Sequence, residues 1–179
     1  PFEVERDGEK KIVGGMARMY EAIESERKKD PNALLIDAGD FSMGTLFQTI
    51  FSTHTPMLRI MGQMNYDAIT YGNHEFDFRA EGLAKALNSA LVRDEPLPPI
   101  VPSNIQFPTD ENGNMEQSIG QLKEAMEDYG VAPYTIIEKN GVKIGIFGLL
   151  GKDAASNAPM SGVTFDDNVE VAKNMVSIL

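Results

Sequence analysis

Two stretches decide the reading of this chain: Ala33-Leu34-Leu35-Ile36-Asp37-Ala38-Gly39-Asp40, and later Tyr66-Asp67-Ala68-Ile69-Thr70-Tyr71-Gly72-Asn73-His74-Glu75-Phe76-Asp77. Each begins as a short apolar run of strand length and ends in Gly followed by polar residues. The first run is nearly continuous rather than alternating, which predicts a strand covered on both faces. If the two strands are parallel, both polar loops leave the same edge of a sheet. Open α/β sheets bind ligands at that carboxyl edge.

Helical patterns flank these runs. Gly14-Gly15 opens one with Met16, Met19, Tyr20 and Ile23 on a single stripe, closed by Glu26-Arg27-Lys28-Lys29 and broken at Asp30-Pro31-Asn32. Thr55-Pro56 reads as N-cap and first position of a second helix, with Met57, Ile60, Met61 and Met64 inward as core packing. A third pattern runs from Phe78 to Leu91, with Leu83, Ala84, Leu87 and Leu91 inside. Ile100-Val101-Pro102-Ser103-Asn104 predicts a strand end, 106–114 a loop, and Ile119, Leu122, Met126 and Tyr129 a short helix. Tyr134 to Glu138 and Val142 to Leu149, joined at Asn140-Gly141, give the strongest hairpin signal. Val169, Ala172, Met175, Val176 and Leu179 mark a last amphipathic helix. Strands alternating with helices predict an α/β sandwich, mainly parallel, with one antiparallel hairpin.

Composition narrows the function. The 179 residues are 42% hydrophobic, enough for a globular core, and no apolar run reaches membrane-spanning length. Sixteen Lys and Arg against 27 Asp and Glu give a net charge of −11. With no basic stripe to follow a phosphate backbone, duplex nucleic acid is not an expected partner. A phosphorylated small molecule would need a cation to offset that charge, and a bound metal is the obvious one. There is no Cys, so disulfides and thiolate metal sites are excluded, and only His54 and His74 carry imidazole. Any metal centre must use mainly oxygen ligands or be completed from elsewhere.

The two loops hold such donors. Asp40 offers two hard oxygens, enough to bridge two divalent cations, and Asn73 a neutral carbonyl oxygen. His74 and Asp77 stand three residues apart, a spacing at which the carboxylate can fix the imidazole tautomer and raise its basicity. The other ring nitrogen could then stabilise or protonate a departing oxygen. Asp37 is expected to be a hydrogen-bonded core carboxylate, Glu75 a structural residue and His54 a solvated one.

These residues carry a family resemblance. Leu35-Ile36-Asp37-Ala38-Gly39-Asp40 and Met64-Asn65-Tyr66-Asp67-Ala68-Ile69-Thr70-Tyr71-Gly72-Asn73-His74-Glu75-Phe76-Asp77 resemble the calcineurin-like metallophosphoesterase domain of the 5′-nucleotidases, a family that includes 2′,3′-cyclic-nucleotide phosphodiesterases. Gly14-Gly15-Met16-Ala17-Arg18, Ser103-Asn104-Ile105, Pro133 to Ile137 and Gly141 to Leu149 match in order. The resemblance implies an αββα sandwich holding two divalent metal ions (Zn, Mn or similar). Asp40 would bridge them and Asn73 would bind one. His74, partnered by Asp77, would contact the phosphoryl group in the transition state. The implied reaction is hydrolysis of a nucleotide phosphomonoester, with a small-molecule nucleotide as substrate. A 2′,3′-cyclic phosphodiesterase, or a non-catalytic binding module of the same fold, is the alternative. Relatives of this kind are mostly periplasmic, secreted or surface-attached; oligomeric state is left open.

The family's opening Asp-x-His motif, its later Gly-His and Gly-His-Ser-His motifs and its C-terminal nucleotide-binding domain are not found. Met43 stands where Gln is usual, and Gly151-Lys152-Asp153 replaces a Thr-Pro stretch. Residues 1–179 are therefore expected to be a partial metallophosphoesterase catalytic domain, incomplete at both ends, with the remaining metal ligands outside the segment.

Overall fold

The computed structural model describes residues 1–179 and divides into two compact units, Pro1–Leu34 and Leu35–Leu179. The first unit holds a hairpin, β1 (Phe2–Arg6) and β2 (Glu9–Val13), followed by helix α1 (Met16–Lys29). Asp7 and Gly8 connect the strands at φ 56° and 75°, the left-handed pair that a two-residue type I′ turn demands. This hairpin is not anticipated by the sequence pattern. Its strands are charged (Glu3, Glu5, Lys10, Lys11) and mostly exposed, and the alternation is confined to Phe2-Glu3-Val4-Glu5. Helix α1 ends as expected, with Arg27, Lys28 and Lys29 in its last turn. Its stripe is only half covered: Met16, Met19 and Ile23 are partly exposed, and Tyr20 lies open.

In the second unit, β3 (Ile36–Asp37) and β4 (Ala68–Ile69) pair in parallel, Ile36 opposite Ala68 and Asp37 opposite Ile69. The ladder continues through bridges from Ile69 to Ile100 and from Pro102 to Gly148, both parallel. Backbone bonds seal it: Ile69 N to Pro99 O at 2.8 Å, Val101 N to Ile69 O at 2.9 Å, and Gly148 N to Val101 O at 2.7 Å. Gly148 ends the run of β7 (Val142–Ile146), which pairs antiparallel with β6 (Thr135–Lys139) through Asn140 and Gly141 at φ 51° and 78°. The order is thus β3, β4, 100–102 and β7, with β6 antiparallel at the far side. Every parallel strand points its carboxyl end to one rim.

Helices build the rest of the core. α2 (Phe51–His54) and α3 (Pro56–Gln63) bring in Phe51, Met57, Leu58 and Met61. α4 (Arg79–Leu91) buries Leu83, Ala84 and Leu87, and packs on α5 (Gln117–Tyr129) through Ile119, Leu122 and Met126. A short α6 (Lys152–Ser156) and a ribbon of β5 (Ile105–Gln106) with β8 (Thr164–Phe165) precede α7 (Asn168–Ile178).

Several expectations need correction. There are three antiparallel ribbons, not one. β3 is covered on one side only: Ile36 is 58% exposed, and burial alternates along 34–38. Thr55 does sit at the N-terminus of α3, with Pro56 in the first turn, but it does not cap. It is left-handed (φ 42°), fully buried, and its hydroxyl has no partner. Leu91 lies open at the end of α4, and in α7 only Met175 is buried while Val169 and Val176 are exposed. In α7 the stripe exists but little packs against it, while α4 buries its stripe up to Ala90 and leaves only its last residue open.

Candidate active site

The parallel pairing of β3 and β4 sends residues 38–42 and 71–77 out of the same rim, as the strand reading requires. The two loops then touch backbone to backbone. A Cβ on Gly39 would lie 2.7 Å from the Cα of Gly72 and collide with the Gly72 nitrogen. A Cβ on Gly72 would strike the Asp40 carboxylate. Glycine is needed at both places because nothing larger fits between the loops. Gly39 and Asp40 both take positive φ, 104° and 61°. Asp tolerates the left-handed region better than most residues, at a cost of order 1–3 kcal/mol that the surrounding contacts must offset.

Those contacts are specific. The backbone N–H of His74 donates to Oδ1 of Asp40 at 3.0 Å, which fixes the carboxylate against the second loop. Glu75 is wholly buried, and its carboxylate accepts three backbone N–H groups: Asp40 at 2.8 Å, Ser42 at 2.9 Å and Gly72 at 2.6 Å. Burial pushes the Glu75 carboxyl up from the ordinary Glu range while these bonds pull it back. Beneath the loop, Tyr71, Phe76 and Phe165 stack edge to face, with ring centres 5.9 and 5.7 Å apart. The loop is therefore held from inside.

His74 and Asp77 meet as the spacing suggests, Nδ1 to Oδ2 at 2.9 Å within one 3-10 turn, 74–76, capped by Asp77. The hydrogen bond with Asp77 holds the imidazole above its ordinary pKa. Nδ1 is thereby engaged, and Nε2 is the nitrogen left to act. Gln48 Nε2 adds a third member, donating to the same Asp77 oxygen at 3.1 Å. Asn73 caps the turn with its backbone only; its side-chain amide makes no capping bond. Asp37 accepts the Gly39 N–H at 2.9 Å, and burial raises its carboxyl above the usual value. His54, as expected, is exposed, hydrogen-bonded to Thr53.

Asp40, Asn73, His74 and Asp77 thus lie on two loops in direct contact. Glu75 is structural, as expected, and Gln48 is the residue that sequence reasoning misses. Glu75 bonds Gly72 three positions back, but its partners Asp40 and Ser42 lie 35 and 33 positions away and Asp77 lies 29 from Gln48, contacts that no local pattern announces. As a donor set, one carboxylate oxygen pair and one amide oxygen suit a hard or borderline divalent ion. The set is short of a full coordination sphere, and no group of three or more His, Asp or Glu side chains gathers where it could hold an ion.

The α/β fold sets acidic, amide and imidazole groups on adjacent loops at the carboxyl edge of its strands, where such folds bind ligands. Comparison with known proteins says which proteins it resembles. The chain is 33% identical over 159 residues to the 5′-nucleotidase of Rattus norvegicus, covering 88% of this chain and 24% of that protein. It is 32% identical over 179 residues to the trifunctional nucleotide phosphoesterase YfkN of Bacillus subtilis, covering 91% of this chain and 12% of that one. A solved 5′-nucleotidase precursor from Thermus thermophilus superposes on all of this chain with a TM-score of 0.75 at 29% identity, over 31% of its own length. No family model matches the chain. The chain is homologous to 5′-nucleotidases along most of its length and has their calcineurin-like α/β fold. It spans a quarter or less of the two curated relatives just described. No helix is long and apolar enough to cross a membrane.

Proposed function

We propose that this chain is the part of a nucleotide phosphoesterase catalytic domain that carries one side of a two-metal site, and that the whole protein hydrolyses nucleotide phosphomonoesters. The observation that carries the reading is the contact between the Asp40 loop and the Asn73–Asp77 loop, through His74 N to Asp40 Oδ1 at 3.0 Å. The names of the relatives described above, all nucleotidases or nucleotide phosphoesterases, point to the same chemistry. Asp40 and Asn73 would hold divalent ions, with further ligands from outside residues 1–179. Such ions supply Lewis acidity and a nucleophile at neutral pH.

The chain's own residues would do the following. The Asp40 carboxylate has its Oδ1 fixed by the His74 amide, and its other oxygen would take a ligand. Asn73 adds an acceptor with no charge, which limits repulsion of a phosphate. His74, its tautomer set by Asp77, presents Nε2 to a phosphoryl or leaving oxygen, stabilising developing charge or giving up a proton. Asp77, steadied by Gln48, keeps the ring in that orientation.

The test is Asp40→Ala and His74→Ala in the full-length protein, assayed on nucleoside monophosphates with Mn²⁺ or Zn²⁺. Each is expected to lose ~100-fold or more of kcat/KM. Activity within about a factor of two of wild type would reject the roles. The donor count favours a second reading, a non-catalytic module with this fold. Fewer than about one divalent ion per natively purified protein would select it.

A further inference from the structure

We propose that Glu75 is a positioning residue whose carboxylate locks the two metal-holding loops into one unit, an inference that rests on the metal role given to Asp40 and Asn73 above. Glu75 is fully buried and faces no cationic partner among its bonded groups; what it meets is backbone. One of its oxygens takes the N–H groups of Asp40 and Gly72 together, at 2.8 and 2.6 Å, and the other takes Ser42 at 2.9 Å. These are charge-assisted bonds, shorter and about twice as strong as neutral ones.

Their targets are not arbitrary. Asp40 is the residue whose side chain is to hold metal, and it stands in a left-handed conformation that needs outside support. Gly72 immediately precedes Asn73, the other donor. Glu75 itself sits one residue beyond His74, within the same 3-10 turn. A single carboxylate thus fixes the backbone on both sides of the gap between the donors. The His74 amide bond to Asp40 Oδ1 then sets the carboxylate's rotation. Remove the Glu75 carboxylate and three backbone N–H groups lose their acceptor, those of Ser42 and Gly72 being buried; the loops can restore hydration there only by parting.

Glutamine discriminates this role from simple packing. It preserves the volume and one acceptor oxygen, but turns an NH₂ toward one of the N–H donors. The experiment compares wild type, Glu75→Gln and Leu87→Ala in the full-length protein. Leu87 is a fully buried residue of α4 with no part in the site, so it controls for lost stability alone. Mn²⁺ affinity is measured by titration calorimetry, and amide hydrogen exchange is followed at Asp40, Ser42 and Gly72. Glu75→Gln should weaken Mn²⁺ binding by ~10-fold or more, the usual effect of removing an outer partner of a metal ligand, and should deprotect those three amides. Leu87→Ala should leave Mn²⁺ affinity within about twofold of wild type. If Glu75→Gln does not fold, Glu75→Asp, which keeps the charge but shortens the reach, takes its place under the same thresholds. Unchanged Mn²⁺ affinity in the Glu75 variant, or an equal loss in Leu87→Ala, overturns the positioning role and leaves the metal reading standing. A wild type that takes up no Mn²⁺ overturns both.

Discussion

Replacing Gly39 with Ala tests the central geometry most directly, because two separate penalties converge on one methyl group. Gly39 sits at φ 104°, a region an L side chain enters at ~1–3 kcal/mol. The added Cβ would also stand 2.7 Å from both the Gly72 Cα and the Tyr71 carbonyl carbon. Ordinary carbon contacts lie near 3.5–4.0 Å, so the loops must separate by about 1 Å. Overpacking of that kind costs a further ~1–3 kcal/mol, which makes ~4 kcal/mol a fair central value for the sum. At a urea slope of ~2 kcal/mol/M, the unfolding midpoint should fall by ~2 M. The same movement breaks the 3.0 Å bond from His74 N to Asp40 Oδ1, and displacement on that scale costs ~100-fold in rate. Urea unfolding followed by circular dichroism, with nucleotidase assays on the full-length protein, reads both numbers. A Gly39→Ala protein with an unchanged midpoint and unchanged activity would show that the loops do not meet as described.

Other expectations are simpler. Gly120 lies inside α5 with open space within 4 Å of where a methyl group would stand, so Gly120→Ala should stabilise by ~0.5–1 kcal/mol; a lowered melting temperature contradicts the packing at that point. Asp110 is held below the usual carboxylate range, chiefly by the backbone N–H of Asn114. Its contribution to the 110–114 turn is therefore present above the ordinary value of 3.8 and is lost as pH falls through the depressed one. Amide exchange at Asn112 and Asn114, corrected for intrinsic pH effects, should accelerate only in that acid window; a pH-independent corrected rate refutes it.

Legibility differed from element to element for physical reasons. Asn140-Gly141 announces its hairpin because apolar-rich strands flank it, whereas Asp7-Gly8 makes the same turn between charged strands whose only alternation is Phe2 to Glu5. The strands ending at Asp37 and Ile69, and hence the shared rim, were readable from short apolar runs before Gly. Thr55 stands before α3 as Thr-Pro predicts, but residue type alone does not reveal its left-handed backbone and unpartnered hydroxyl. The His74–Asp77 contact followed from spacing within one turn. The bonds from Glu75 to Asp40 and Ser42 and from Gln48 to Asp77 join separate loops, so they exist only once the chain has folded.

The shared carboxylate of Glu75 also bears on how this region could change over evolutionary time. Three amides from two loops answer to one side chain, so substitutions at 39, 40, 72 and 75 should be strongly epistatic, with coupling energies far from additive. A lineage could remodel the surrounding rim one residue at a time, yet would have to exchange these four positions together or leave them alone.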